Sequence, residues 1–468
     1  MPLASRRARE CCCCTTAACA ATVTRYLHAV TSRAAILALV CCATAARADS
    51  PAPSAALAAL LARTDAVAKE VARIRKLPLR KKIANEVVDR AELRARLEKL
   101  AADRKTADET AAEGLALVRW GLLPPDLDYT HLMIDVLADE IAGYYDSKTK
   151  KLTISESAGE NPQWAELVLA HELDHGLQDQ SFDLEKFQDL PASEGDALTA
   201  RHALVEGDGI ALMLEVMFAR EHKPAPWGDP AVVHAIVGAM TGSGDATLDK
   251  APLVVREAML FPYRDGFAFV AALRRRAPWS AVDAAFRRPP RSTEQILHPE
   301  KYLADEKPIA IAAAAPALAG YTIAHSTVWG ELGFQLFLRA HGVAQAVATE
   351  AAAGWGGDRV IVLARDNDRD PTHAIGLARF EWDSEADAIE AEHAATRAVD
   401  DALVGATAER AGDAGGRTRW LAVDGSEAWV ERRGSSLELA IGVPVRAADA
   451  LATEAWTALA PRATHASK

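Results

Sequence analysis

One segment constrains this chain more than any other: Leu169-Ala170-His171-Glu172-Leu173-Asp174-His175-Gly176-Leu177. It sets two histidines four residues apart, with a glutamate directly after the first. On a helix, positions four apart share a face. Both imidazoles can then meet a single zinc ion at ~2.0–2.1 Å. Glu172 projects from the adjacent position, within reach of a water polarised by that ion, and its carboxylate can take the water's proton. A surface helix carrying two unrelated histidines is the plainer alternative. Against it stand the apolar neighbours Leu167, Val168, Leu169 and Leu173 and the upstream Asn161-Pro162, an N-cap residue followed by proline at the first helical position.

A zinc site of this kind needs a third protein ligand and keeps a fourth place open. The next helical pattern, from about Gly195 to Arg220, offers His202, Glu206 and Asp208. Ser193 and Asp196 have the spacing of a capping box at its start. Glu206 follows His175 by 31 residues, room for a loop and an antiparallel return. It sits among Ala203, Leu204, Val205, Ile210, Ala211 and Leu212, where an unpaired carboxylate is costly. Metal coordination removes that cost; a place on the helix's solvent side also would. His202 shares the face of Glu206 and is either an alternative ligand or a group that orients it.

The rest of the chain divides by pattern. Residues 49–130 form a helical, charged N-terminal region, either a prosegment or a layer of the fold. Within it, apolar spacing predicts a helix over 55–77, stopped by Pro78, a second marked by Ile83, Val87, Leu93, Leu97 and Leu100, and a third ending near Trp120. Residues 131–345 hold the histidine motif. They begin with a hairpin signal, Ala142–Tyr145 and Lys151–Ile154 around the turn-rich 146–150. Residues 346–468 change to an α+β pattern. Strands are expected at 359–364, 373–382, 418–423, 427–432 and 436–442, with helices at 384–399 and 447–459. The fold class expected is therefore α+β: a mainly helical core with a small edge hairpin, plus a C-terminal α+β domain.

Composition narrows the partners. The formal charge is −12, which argues against a nucleic-acid binder, and aromatic residues make up only 6% of the chain. All seven cysteines lie at or before Cys42, so no disulfide framework is available further on. Arg25 and Arg33 precede an apolar run from Ala34 to Ala46, followed by the small-residue site Ala46-Arg47-Ala48. That order is the signal-peptide pattern over residues 1–48. It predicts an exported, periplasmic or secreted protein, with lipid attachment at Cys42 as a weaker alternative. No later apolar run reaches the ~20 residues of a spanning helix.

Three further segments accompany the motif: Leu177-Gln178-Asp179-Gln180, Leu204-Val205-Glu206-Gly207, and Ser292–Gln295 with Leu297–Tyr302. Together they resemble zincin metallopeptidases of the glutamate-ligand type, nearest to a group of exported bacterial HExxH proteins. The resemblance spans about 140–300. It implies Zn2+ held by His171, His175 and Glu206, with Glu172 as general base in a hydrolase acting on a peptide or protein. It also implies that Lys151 to Ser155 is an edge strand able to pair with an extended substrate. Asp174 departs from the uncharged residue usual at its position, and Gly176 costs a helix about 1 kcal/mol against alanine. Tyr144, Tyr145, His202, His298 and Tyr302 are candidates for stabilising an oxyanion, and Asp179 for orienting His175. Two competing readings are a catalytically silent zinc-containing scaffold of the cell envelope and a zinc hydrolase of a non-peptide amide.

Overall fold

A helix that buries every face cannot lie on a surface, and the one bearing the histidine motif is of this kind. The computed structural model describes residues 55–160, 162–240, 246–366, 368, 370–400, 408–414, 416–422 and 424–462. The expected leader and the expected cap residue Asn161 lie outside these. The fold is α+β, with a helical half and a half built on a large sheet.

In the helical half, α1 (Thr64–Arg75), α2 (Arg104–Arg119), α3 (Pro162–Phe182), α4 (Gly195–Arg220) and α5 (Leu253–Arg276) are the main elements. Helix α3 runs through the middle, packed on α1 and α4, and α4 packs along α5. Leu169, Leu173 and Leu177 of α3 are completely buried, each stabilising the core by about 1.5–3 kcal/mol. A Cβ on Gly176 would come within 2.4 Å of the tip of the Ile83 side chain, which would have to shift.

A three-stranded sheet covers one side of α3, formed by β1 (Ala84–Val88), β2 (Gly143–Asp146) and β3 (Lys151–Ser155). The order is β1-β3-β2, so β3 is central, paired parallel to β1 and antiparallel to β2. This corrects the expectation that Lys151–Ser155 is an edge; the edges are β1 and β2. It also corrects the helix expected from Ile83 onward. Asp89 accepts from the Glu92 N–H at 2.7 Å and starts the helix Arg90–Ala101 there. The β-branched pair Val87-Val88 before it joins the sheet. The helix expected over 55–77 is likewise two, Ala55–Ala62 and Thr64–Arg75.

The second half is a seven-stranded antiparallel sheet ordered β4-β5-β6-β10-β9-β8-β7. Its strands are β4 (Tyr321–Thr327), β5 (Trp355–Arg365), β6 (Ile375–Trp382), β7 (Ala408–Ala414), β8 (Arg417–Ala422), β9 (Ser426–Arg433) and β10 (Ser436–Pro444). The apolar run Val360–Ala364 in β5 is buried on both faces. Val360 and Val362 meet α6 (Gly330–Ala340) and α7 (Glu385–Ala398), whereas Ile361 and Leu363 meet α8 (Val445–Ala458). The sheet and its core thus take in Tyr321–Ala340, ahead of the compositional change at 346.

The N-terminal region is woven into both halves. Val67, Val71 and Ile74 lie in the helical core. Leu115, Ala116 and Trp120 lie in the core of the large sheet. The Ser193–Asp196 capping box does not form. Buried Asp196 instead accepts from the Thr293 N–H at 3.0 Å and its hydroxyl at 2.6 Å, which ties α4 to the segment leading into the second half.

Candidate metal centre

Helix α3 is buried from Val168 to Asp179, so its polar side chains His171, Glu172, Asp174, His175, Gln178 and Asp179 must find partners inside the protein. The crossing of α4 supplies most of them. Glu206 Oε2 lies 3.1 Å from His171 Nε2 and 3.4 Å from His175 Nε2, and the two imidazole nitrogens are 3.0 Å apart. Two atoms each ~2.0–2.1 Å from a tetrahedral zinc stand about 3.3 Å from one another. The three donors therefore form one face of such a tetrahedron. The Glu172 carboxylate is also close, within 4.8 Å of both imidazoles. Glu206 makes the tighter triangle.

The neighbouring groups favour positive charge on His175 and negative charge on Glu206. Burial alone would lower His175, but the Glu206 carboxylate beside it pushes it up to about 10. Burial opposes ionisation of Glu206, yet His175 and hydrogen bonds from His171, His175 and His202 hold it well below the usual carboxylate range. His171 Nδ1 and Glu172 Oε2 are buried without a protein hydrogen-bond partner. Close packing holds the His171 ring. A Cβ on Gly209 would sit 2.6 Å from its Cε1, so only glycine lets α4 approach this near.

Glu172 is raised chiefly by burial, and the Tyr145 backbone N–H donates to it. It is thus a carboxylate of increased basicity beside the triangle, tied to edge strand β2. His202 Nε2 lies 3.2 Å from Glu206 Oε1, on the carboxylate's other oxygen. Its side chain is 46% exposed, against about a tenth for the three converging donors, so solvent reaches the centre past His202.

The position of Asp174 now has a physical account. Gln178 Oε1 lies 3.0 Å from His175 Nδ1. The Gln178 amide donates to Asp174 at 3.1 Å, to Asp208 at 2.9 Å and to the Val205 carbonyl at 3.2 Å. Arg75, fully buried, makes bonds of 2.8 and 3.0 Å to Asp208 and 2.8 Å to Asp283. Burial, and then Asp208 beside it, pushes Asp174 well above its ordinary value. A charged residue at this position is tolerated because it joins a buried network anchored on a guanidinium. Asp208 belongs to that network and not to the triangle.

The remaining candidates are employed elsewhere. Asp179 accepts from Tyr145 OH at 2.8 Å, Lys150 at 2.9 Å and the Leu184 N–H at 3.1 Å, so it ties down the hairpin and does not orient His175. The Tyr144 hydroxyl accepts from Arg96, the Tyr302 hydroxyl donates to the Arg288 carbonyl, and His298 pairs with Glu331. The residue that spacing missed is Tyr263 of α5. Its ring stacks along His171, with centroids 6.3 Å apart. Burial and the carboxylates of Glu206 and Glu172 push its hydroxyl well above its usual value, and it hydrogen-bonds Glu206. Nothing in the sequence marks it, because only the crossing of α4 and α5 brings it in. A second acidic cluster, Glu294, Glu306 and Asp383, is already filled by the Lys301 ammonium at 2.6, 2.9 and 2.7 Å.

Among known proteins, residues 321–452 match a family described only as a domain of unknown function (DUF8575). That stretch covers all seven strands of the large sheet and none of the donor triangle. No curated protein and no solved structure matches the chain.

Proposed function

We propose that this protein is an exported zinc-dependent peptidase with a zincin-like helical core, in which His171, His175 and Glu206 hold the metal and Glu172 is the general base. The observation that carries the reading is the triangle of 3.0, 3.1 and 3.4 Å made by two nitrogens and an oxygen from two helices. Zinc bound there supplies Lewis acidity toward an oxygen ligand. Glu172 accepts the proton of the attacking water and passes it to the departing amine. Its burial raises its basicity for the first task, and its bond from the Tyr145 N–H holds it in position. Tyr263 and His202, both bonded to Glu206, are the nearest donors that could turn to a carbonyl oxygen that gains negative charge. Edge strand β2, whose Tyr145 already touches Glu172, takes the substrate-pairing role first given to Lys151–Ser155. The leader-like order of residues 1–48 supports export.

The test is elemental analysis beside turnover of an unstructured protein such as casein. The wild-type chain binds one zinc and hydrolyses the substrate. Glu172→Gln keeps the zinc and loses about 10²–10⁴-fold in rate. Unchanged turnover in that variant, or a wild-type chain that takes up no zinc, overturns the reading.

A further inference from the structure

A cavity of about 740 Å³ lies between the two halves, walled by α2, α4, α5, α6 and strand β4. Pockets that take drug-sized or short peptide ligands measure about 300–1,000 Å³. It borders the candidate metal centre through two residues. His202, the exposed neighbour of Glu206, lines it, and so does Pro262, next to Tyr263.

Two features of its wall select a ligand. Trp120, Trp329, Leu332 and Leu336 form an apolar side. The lining also holds Asp108, Glu109, Glu113 and Asp196 but no lysine or arginine. Strand β4, an edge of the seven-stranded sheet, contributes Ala324 to Thr327 to the wall. Its side away from β5 is met at one end by residues 192–196, where the Val328 carbonyl accepts from the Asp196 N–H at 3.1 Å, and a sheet edge of this kind can add a strand along the remainder.

We infer that this cavity is the specificity site of the proposed peptidase. It binds an extended polypeptide segment along β4, with a large apolar side chain against Trp329 and a neighbouring lysine or arginine facing Asp108 and Glu113. Strand β4 and α6 of the DUF8575-matching half and α2 of the helical half thus select the substrate together, and the metal centre beside them cuts it. The inference rests on the peptidase reading for the word substrate; the binding itself does not.

The test separates the two. The zinc-loaded Glu172→Gln chain is titrated, by fluorescence anisotropy, with a labelled unstructured peptide of alternating leucine and lysine, and with its leucine–glutamate counterpart. The cationic peptide binds and the anionic one does not. Reversing both rim charges (Asp108→Lys with Glu113→Lys) weakens the cationic peptide by at least about tenfold. Filling the cavity with Thr199→Trp abolishes binding, while circular dichroism and zinc content stay as in the parent. Equal binding of both peptides, or cationic binding indifferent to the rim and filling variants, overturns the inference even where the wild-type chain cleaves casein. Selective binding that both variants remove upholds it even where the wild-type chain cleaves nothing, and in that case the peptidase reading alone falls.

Discussion

The two halves bury charge in different ways. In the helical half, Arg75, Asp174, Gln178, Asp208, His175 and Glu206 form one connected chain that ends at the donor triangle. In the sheet, most buried or partly buried charges are settled locally, Arg359 with its reach to Ser193 and Glu194 being an exception. Arg379 pairs with Glu381 two residues on, Arg419 with Glu427 on the adjacent strand, and Glu438 accepts from the Trp429 indole at 3.0 Å. Local pairs stabilise a scaffold wherever they occur. A network converging on one point holds that point's geometry. The contrast teaches that burial of polar groups alone does not mark a site; convergence does.

Four substitutions probe this contrast. Arg75→Met has the largest expected effect. It leaves Asp208 and Asp283 without their cation, and losing one partner of a buried pair costs about 3–5 kcal/mol. The denaturation midpoint drops accordingly; a shift below about 1 kcal/mol would show the network to be dispensable. Gln178→Leu removes the partner of His175 Nδ1. Loss of such a partner lowers metal affinity about 10–100-fold, read by competition with a chelator. An unchanged affinity breaks the link between the network and the triangle.

In the sheet, Glu438 supplies the third probe. Burial pushes it up to about 8 from an ordinary 4.5, so the folded state holds its proton more tightly than the unfolded chain does. Its contribution to stability is complete below about pH 4.5 and is lost as pH rises toward 8. Glu438→Gln therefore flattens the fall of melting temperature over that window and leaves zinc affinity unchanged. A steeper fall would reverse the sign and sink the argument. Smallest is Arg432→Met, which removes pairs to Glu385 and Glu392 at the rim of the sheet. Surface pairs of this kind contribute about 1 kcal/mol or less, so the midpoint barely moves.

Legibility from the sequence followed the range of the interactions. Residues 171–175 are readable because helical periodicity is local. The strands at 359–364, 427–432 and 436–442 are readable because apolar runs between turns are local too. By contrast, the patterned positions Ile83 and Val87 read as one helix with Leu93, yet a cap at Asp89 and pairing with a strand more than sixty residues away divide them. Strand β4, with mixed composition, is stabilised as a strand by β5 and has little pattern of its own. Tyr263 was invisible for the same reason: it is a partner by crossing, not by spacing.

What the sequence by itself determined is which side chains can share a helical face, and hence that His171 and His175 point together with Glu172 beside them. Only the tertiary structure decided that Glu206 completes their triangle, that Gln178 and not Asp179 steadies His175, and that the N-terminal helices lock both halves. The reason is physical. Periodicity of 3.6 residues acts within one element, whereas the desolvation of charge is resolved only when separate elements pack against each other.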